Sequence, residues 1–355
     1  MTDGLTVVKF LASGFPDKDH PFWLRQFPHS QPVWGNCRFV FDQEARDYDW
    51  LVVYNDLPGR SGERRSLRVE PLACPRNQTM LITMEPSSVK VYGSDYMAQF
   101  GVVLASLEPW AVPHRHVIFT QCGLQWFYGV GTAKVVTHDD MKARQPPVKE
   151  RTISTVCSTK AQFHTLHRQR YEFTQKLKQA LPELDIFGHG VRFIADKAEA
   201  LDSYRYHVAV ENHVCQHHWT EKLADPLLGY CLPFYHGCPN AADYFPPESF
   251  IPINIADFDG TLATIREAIA TNQYEKRLPA IIEARRRVLD EHNIFALIAR
   301  TIAAEPAVAA GQRADGGMLY SRYALRRHRP LTAVRFLFEK IWQRARHGRL
   351  HIGGA

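Results

Sequence analysis

The 355-residue sequence has no apolar run approaching the roughly 20 residues that a membrane-crossing helix requires, which excludes a helical span. It has no basic-then-apolar leader, since Met1 to Leu5 passes directly into a strand-like stretch. Its cysteines are odd in number, seven, and scattered from Cys37 to Cys238. That excludes a small disulfide scaffold and makes a reducing cytoplasm the simplest setting, where the Asn77-Gln78-Thr79 sequon has no meaning. No internal repeat occurs. With 45% apolar and 23% charged residues, wholesale disorder, collagen and coiled coil are excluded as well. At roughly 150 residues per domain, the length predicts about two domains with self-sufficient cores.

Most of the chain also lacks net positive charge. Residues 321–350 hold nine Lys and Arg against a single acid, Glu339, which leaves 34 basic and 36 acidic residues elsewhere. A groove that tracks a phosphate backbone needs clustered cations on a fold face, so nucleic acid is not an expected partner of the body.

The apolar runs Thr6 to Ala12 and Trp50 to Tyr54 read as buried strands, with further strands expected at Met80 to Met84 and Phe100 to Ala105. The polar segment Asp139 to Pro147 breaks both periodicities and reads as an interdomain linker. After it, strands and helices alternate: strand Ile153 to Cys157, helix Thr165 to Ala180, strand Leu184 to Phe187, helix Lys197 to Tyr204, strand Tyr206 to Val210. Helix Thr220 to Leu228, strand Cys231 to Tyr235, helix Ala241 to Tyr244, strand Phe250 to Ile255 and helix Leu262 to Thr271 follow, then a helical region Glu275 to Ile302 broken near Pro279. Such alternation implies a parallel sheet covered on both faces. Ligands in these sheets bind beyond the carboxyl ends of the strands, which directs attention to the loop after Val210.

That loop begins at Glu211-Asn212 and leads to His217-His218-Trp219-Thr220-Glu221-Lys222. Thr220 is a plausible N-cap that would put Glu221 and Lys222 in a first helical turn at a strand's carboxyl end. There Lys222 is either a mobile point charge for phosphate or a solvated first-turn residue.

The segment Tyr204-Arg205-Tyr206-His207-Val208-Ala209-Val210-Glu211-Asn212, followed by Trp219-Thr220-Glu221-Lys222-Leu223, Leu232-Pro233-Phe234-Tyr235-His236-Gly237 and Tyr244-Phe245-Pro246-Pro247, resembles the donor-binding signature of glycosyltransferase family 10, the α1,3/α1,4-fucosyltransferases. The likeness is contiguous and ordered over about 50 residues. Upstream, Arg170 resembles the family arginine that meets the nucleotide diphosphate from the first donor-domain helix, with Arg168 its nearest rival. In the first half, Thr83-Met84-Glu85-Pro86, Tyr92-Gly93 and Gln125-Trp126-Phe127-Tyr128-Gly129 are similar to the acceptor domain of bacterial members. The chain departs from the pattern at His218, where some members have Tyr.

The resemblance implies an α/β fold of GT-B architecture, two Rossmann-like domains with parallel sheets facing across a cleft. Residues 1–145 would bind the acceptor, residues 150–310 the nucleotide sugar, and residues 318–355 would form a basic amphipathic tail. It further implies inverting transfer of fucose from GDP-fucose to a glycan hydroxyl in α1,3 linkage. Glu85 would be the general base, and Arg170, Asn212, His218, Glu221, Lys222 and Glu211 would bind the donor. The same scaffold with another nucleotide sugar, a non-catalytic nucleotide-sugar or glycan binder, and a nucleic-acid binder working through the tail are the alternatives. No cofactor or metal is expected. Cys215, His217, His218, Cys231 and Cys238 fit no common zinc spacing, and Asp257-Phe258-Asp259 follows the last donor-domain strand. Gly188-His189-Gly190 lacks the third glycine of a dinucleotide fingerprint, having Phe193 instead. In the tail, Val334, Leu337, Phe338, Ile341, Trp342 and Ala345 share one helical stripe among basic residues. That stripe suits either an interfacial helix on anionic lipid at the inner face of a membrane or a helix packed across a domain.

Overall fold

The computed structural model describes residues 4–13, 21–123, 125–131, 135–157, 166–188, 190–306 and 316–352. Its contacts divide the chain into two units, Met1–Cys122 with Phe295–Ala355, and Gly123–Ile294. The expected boundary near residue 145 therefore moves, and the tail is no separate domain. Trp126 and Tyr128 lie in the core of the second unit, and the expected linker is the helix His138–Ala143, closed by a Thr137/Asp140 capping box. Arg285 ties that helix in by donating to the carbonyls of Met141 and Leu228. At the other end, strand Met318–Tyr320 pairs antiparallel with Val69–Pro71 and joins the chain's last helices to the first unit. Thr165 and Gly311, expected to open a helix and the tail, lie outside the described residues.

In the first unit a seven-stranded sheet runs in the order Val33–Trp34, Cys37–Val40, Thr6–Ala12, Trp50–Tyr54, Thr79–Ile82, Val102–Ala105, Val117–Phe119. All its pairings are parallel except the first, between Val33–Trp34 and Cys37–Val40. The three strands from Trp50 to Ala105 are buried at every position, which is why they read as unbroken apolar runs rather than alternating ones. Leu11, Leu51, Val53, Leu81 and Val103 build the core on one side. Phe10, Phe27, Phe39 and Phe295 interlock as an aromatic group, with the Phe27 and Phe295 rings stacked 4.0 Å apart.

One cation is enclosed within this sheet. Lys9 is fully buried and donates to Glu70 Oε1 at 2.7 Å, and Arg46 and Arg68 reach the same carboxylate. Burial lowers the Lys9 pKa, and Glu70 opposes that shift. Removing one member of a buried ion group leaves a charge uncompensated, at a cost of about 3–5 kcal/mol. Glu70→Gln, which strands Lys9, should lower unfolding stability in urea by about that amount. Lys9→Met, which leaves Glu70 with two arginines, should lose less, and the reverse order would show that Glu70 is not the keystone.

The second unit has five parallel strands in the order Leu184–Phe187, Arg151–Val156, Tyr204–Val210, Leu232–His236, Ile251–Pro252. In chain order these are its second, first, third, fourth and fifth strands, so the winding reverses between Arg151–Val156 and Tyr204–Val210. Loops leaving those two neighbours diverge and open a crevice. Helices His167–Ala180, Glu221–Leu228, Phe258–Ala270 and Gln273–Asp290 flank the sheet. Two expectations change here. The helix expected over 197–204 is a single 3₁₀ turn, Lys197–Ala200. The helix Gln273–Asp290 runs through Pro279, because Ile281, Ala284, Val288 and Leu289 bury a continuous stripe, and the interruption falls before Ile294. Both units are Rossmann-like α/β layers with parallel sheets, as the resemblance implies.

Candidate functional site

A cavity of about 300 Å³ opens at the winding reversal of the second unit. Its walls come from Val156, from Val208 to Val210 and Asn212, from the start of helix Glu221–Leu228, and from Arg170 at the end of the first turn of helix His167–Ala180. Arg170 is 7% exposed, and its Nη1 donates to the Val210 carbonyl at 3.4 Å. Its Nε and the Asn212 Oδ1 are buried without a hydrogen-bond partner among the described residues. Buried donors and acceptors are nearly always paired, so a donor and an acceptor left open on one cavity wall mark a place shaped for a polar ligand.

The helix facing Arg170 is set by one carboxylate. Glu211, 1% exposed at the end of strand Tyr204–Val210, accepts from the Thr220 N–H at 2.8 Å and from the Thr220 hydroxyl. Thr220 in turn caps the helix by accepting from Lys222 N. Glu221 and Lys222 are thereby held in the first turn, at the cavity wall. Glu211 itself does not line the cavity, and neither does His218, which is buried with its backbone N–H on the Cys215 carbonyl. Of these two residues, expected to bind the donor, Glu211 is turned onto the Thr220 cap instead of the cavity wall.

Three acids balance the cations around the cavity. Lys222 Nζ lies 2.9 Å from Glu221 and 3.7 Å from Glu211. Burial alone would raise the Glu221 pKa, but Lys222 and Lys197 hold it well below the usual carboxylate range. Burial likewise depresses Lys222, and its two acidic neighbours reverse the shift upward. Lys197 and Asp225, which the sequence reading missed, form a second pair at 2.7 Å on the same wall. Burial pushes Asp225 up to about 6 against the pull of Lys197. Asp225 also accepts from Phe127 N and Tyr128 N, which places the segment Gln125 to Gly129 in this unit rather than in the acceptor domain where the resemblance put it. Lys197 stands on a 3₁₀ turn that no spacing rule connects to the Thr-Glu-Lys helix. Only its place after the edge strand brings the two together.

His207 completes the wall. Ser154 Oγ donates to the Ala200 carbonyl, so the 2.8 Å contact with His207 assigns the proton to His207 Nδ1. Burial, with Lys197 and Lys149 nearby, drives the His207 pKa down to about 3. The folded protein keeps this imidazole neutral, whereas the unfolded chain protonates it near 6.5. Stability is therefore full above pH 6.5 and falls as the pH drops toward 3, with a slope of up to about 1.4 kcal/mol per pH unit. Denaturant titrations should show that slope flattening in His207→Gln, and an unchanged slope would remove the assignment.

The residues that the sequence reading set aside, and Glu85, lie elsewhere. Asp257 caps helix Phe258–Ala270 by accepting from Gly260 N at 3.0 Å. His217 Nδ1 lies 2.6 Å from the Tyr244 hydroxyl, and the Cys231 thiol donates to the Leu201 and Tyr204 carbonyls. Glu85 belongs to the first unit, half-buried in the loop that leaves the carboxyl end of strand Thr79–Ile82. The Tyr92 hydroxyl accepts from Met84 N at 2.7 Å and from Glu85 N at 3.3 Å, and donates to Asn55, which clamps that loop from inside.

Residues 146–275 match the family model described as glycosyltransferase family 10 (fucosyltransferase) C-term. The α-(1,3)-fucosyltransferase FucT of Helicobacter pylori is 34% identical over 65 residues, which is 18% of this chain and 13% of that relative's length. Among solved structures, an α1,3-fucosyltransferase aligns with 86% of this chain and 92% of its own, at 15% identity and a TM-score of 0.48. The α1,3-fucosyltransferase with GDP-fucose gives 87% and 94%, 13% identity and a TM-score of 0.47. OtsA in its apo form gives 86% and 100%, 8% identity and 0.46. The stretch that builds the cavity, from strand Arg151–Val156 to the start of helix Gln273–Asp290, is the part of the chain that matches this family model.

Proposed function

We propose that the chain is an inverting glycosyltransferase that moves fucose from GDP-fucose to a hydroxyl of a glycan acceptor in α1,3 linkage. The observation that carries this reading is the open Arg170 Nε and Asn212 Oδ1 on a cavity that Lys222 and Lys197 also line. A nucleoside diphosphate presents the anionic oxygens that these cations fit, and its ribose presents hydroxyls to Asn212 and Glu221. In the reaction the acceptor oxygen bonds to the anomeric carbon from the face opposite the diphosphate. The bond from that carbon to the β-phosphate oxygen breaks, and GDP leaves with the electron pair. Glu85 takes the hydroxyl proton as general base, since a neutral alcohol is a poor nucleophile. Negative charge grows on the departing phosphate, and Arg170 and Lys222 stabilise it; each such contact is worth on the order of 3 kcal/mol. Because these cations neutralise the leaving group, the reading includes no metal. In this reading the protein works at the cytoplasmic face of a membrane, with the basic tail at anionic headgroups.

Four measurements test the proposal. GDP should raise the melting temperature of the purified protein while UDP and NAD do not, and no shift with GDP would defeat the donor assignment. Arg170→Ala should abolish that shift and cut turnover roughly 10²-fold. Glu85→Gln should keep the GDP shift and lose transfer, and retained turnover would exclude Glu85 as base. Mass-detected transfer from GDP-fucose should persist in EDTA, and a loss restored by a divalent cation would show that the cations alone do not suffice.

A further inference from the structure

Asn55 stands where three strand ends of the first unit meet. It follows strand Trp50–Tyr54, and its backbone N–H donates to the Ile82 carbonyl, the last residue of strand Thr79–Ile82, at 2.9 Å. Its side-chain amide donates at 3.0 Å to Ser13 Oγ, just past strand Thr6–Ala12. The residue is 9% exposed and its backbone is left-handed, at φ +73. Asparagine enters that region more readily than most side chains, and residues held there cluster at functional positions.

The hydrogen bonds around it can run in one direction only. The Tyr92 hydroxyl accepts from Met84 N and from Glu85 N, which fill its two lone pairs, so its single proton goes to Asn55 Oδ1 at 3.0 Å. The Lys90 ammonium, which can only donate, takes the other lone pair of the same oxygen. Both donors come from the loop that carries Glu85. That loop closes on itself where Val89 N and Lys90 N donate to the Pro86 carbonyl, each at 2.9 Å. One side chain from a neighbouring strand end therefore fixes the loop both at Glu85 and at its return through Lys90 and Tyr92.

Taking Glu85 as the general base of the proposed function, we propose that Asn55 is its positioning residue and that the Lys90 ammonium is the charged half of the latch. Glu85 is held by its backbone, through Tyr92, and by the field of Lys90. Deprotonation of Lys90 loosens the hold.

The charged and titratable groups facing Lys90 are Glu85 on its own loop, Asp56 beside Asn55, the Tyr92 ring 5.0 Å from Nζ, and Arg322 at the start of helix Arg322–His328. Arg322 is fixed in turn, its backbone N–H on Asp56 Oδ1 at 3.1 Å and its guanidinium on the Val91 carbonyl. Burial first, and Arg322 second, bring the Lys90 pKa down to about 8 against the pull of Asp56 and Glu85. Lys90 is thus charged at neutral pH and loses its proton soon above it. A charge-assisted hydrogen bond to Asn55 then becomes a neutral one of about half the strength.

Hydrogen exchange at pH 7, read by mass spectrometry, tests the hold without any acceptor. Asn55→Gly keeps the left-handed backbone free of strain and deletes the hub. Its Met84 and Glu85 amides should exchange at least tenfold faster than in the native protein, while strand Val102–Ala105 keeps its native rates. Unchanged exchange at Met84 and Glu85, or equal acceleration in that strand, would overturn the proposal. The charged half is read from GDP released from GDP-fucose with water as the acceptor. Native kcat should fall roughly tenfold between pH 7 and pH 9.5, the difference between a charged and a neutral donor. Lys90→Arg, whose charge does not titrate, should abolish that fall, and Asn55→Asp, which gives Lys90 a carboxylate, should move its midpoint up by about one pH unit. A midpoint left in place by either variant would also overturn the proposal. Glu85→Gln should keep the native exchange pattern, so a failed base assignment, seen as retained turnover in that variant, is told apart from a failed latch.

Discussion

The site depends on one buried carboxylate binding a turn. Glu211 lies at the end of a central parallel strand, where a lone carboxylate would be costly to enclose. It is accommodated because both the N–H and the hydroxyl of Thr220 converge on it, and Lys222 stands 3.7 Å away. Burial nonetheless raises its pKa. Strand end, cap and first helical turn are thus one hydrogen-bonded unit, and the direction of Lys222 follows from it. The approach is so close that a Cβ at Gly237 would stand 2.4 Å from Glu211 Cγ, which explains the glycine on the neighbouring strand's exit.

Around that turn the charges are nearly balanced, and the balance has a chemical sense. Lys222 and Lys197 are each paired with an acid in a half-buried wall. Arg170 has no carboxylate partner among the described residues, and its buried Nε is without a hydrogen-bond partner among them. The arrangement stores cations without stacking three uncompensated charges in a low-dielectric pocket.

The first unit organises the region after Glu85 from two sides. The Tyr92 hydroxyl holds the loop backbone from within, and the last helix holds Ser87, Ser94 and Asp95 from outside. The same helix therefore serves as a brace for that segment. Its docking there is polar, and hydrogen bonds with defined partners fix the rotation of the helix.

Strand positions were legible because fully buried parallel strands read as unbroken apolar runs, and Thr6–Ala12, Trp50–Tyr54 and Leu184–Phe187 fall where the sequence alone locates them. The turn from Glu211 through Thr220 to Lys222 was legible for a related reason: its chemistry lies within a dozen consecutive residues, so local capping rules apply. Tertiary structure alone decided the rest. Lys197 meets Asp225 across 28 positions and Asp225 meets Tyr128 across 97, distances at which no periodicity carries information. The amphipathic pattern of residues 334–345 revealed a two-faced helix but not which face would dock. That depended on Ser87, Ser94 and Asp95, brought opposite it by a sheet formed some 240 residues earlier in the chain.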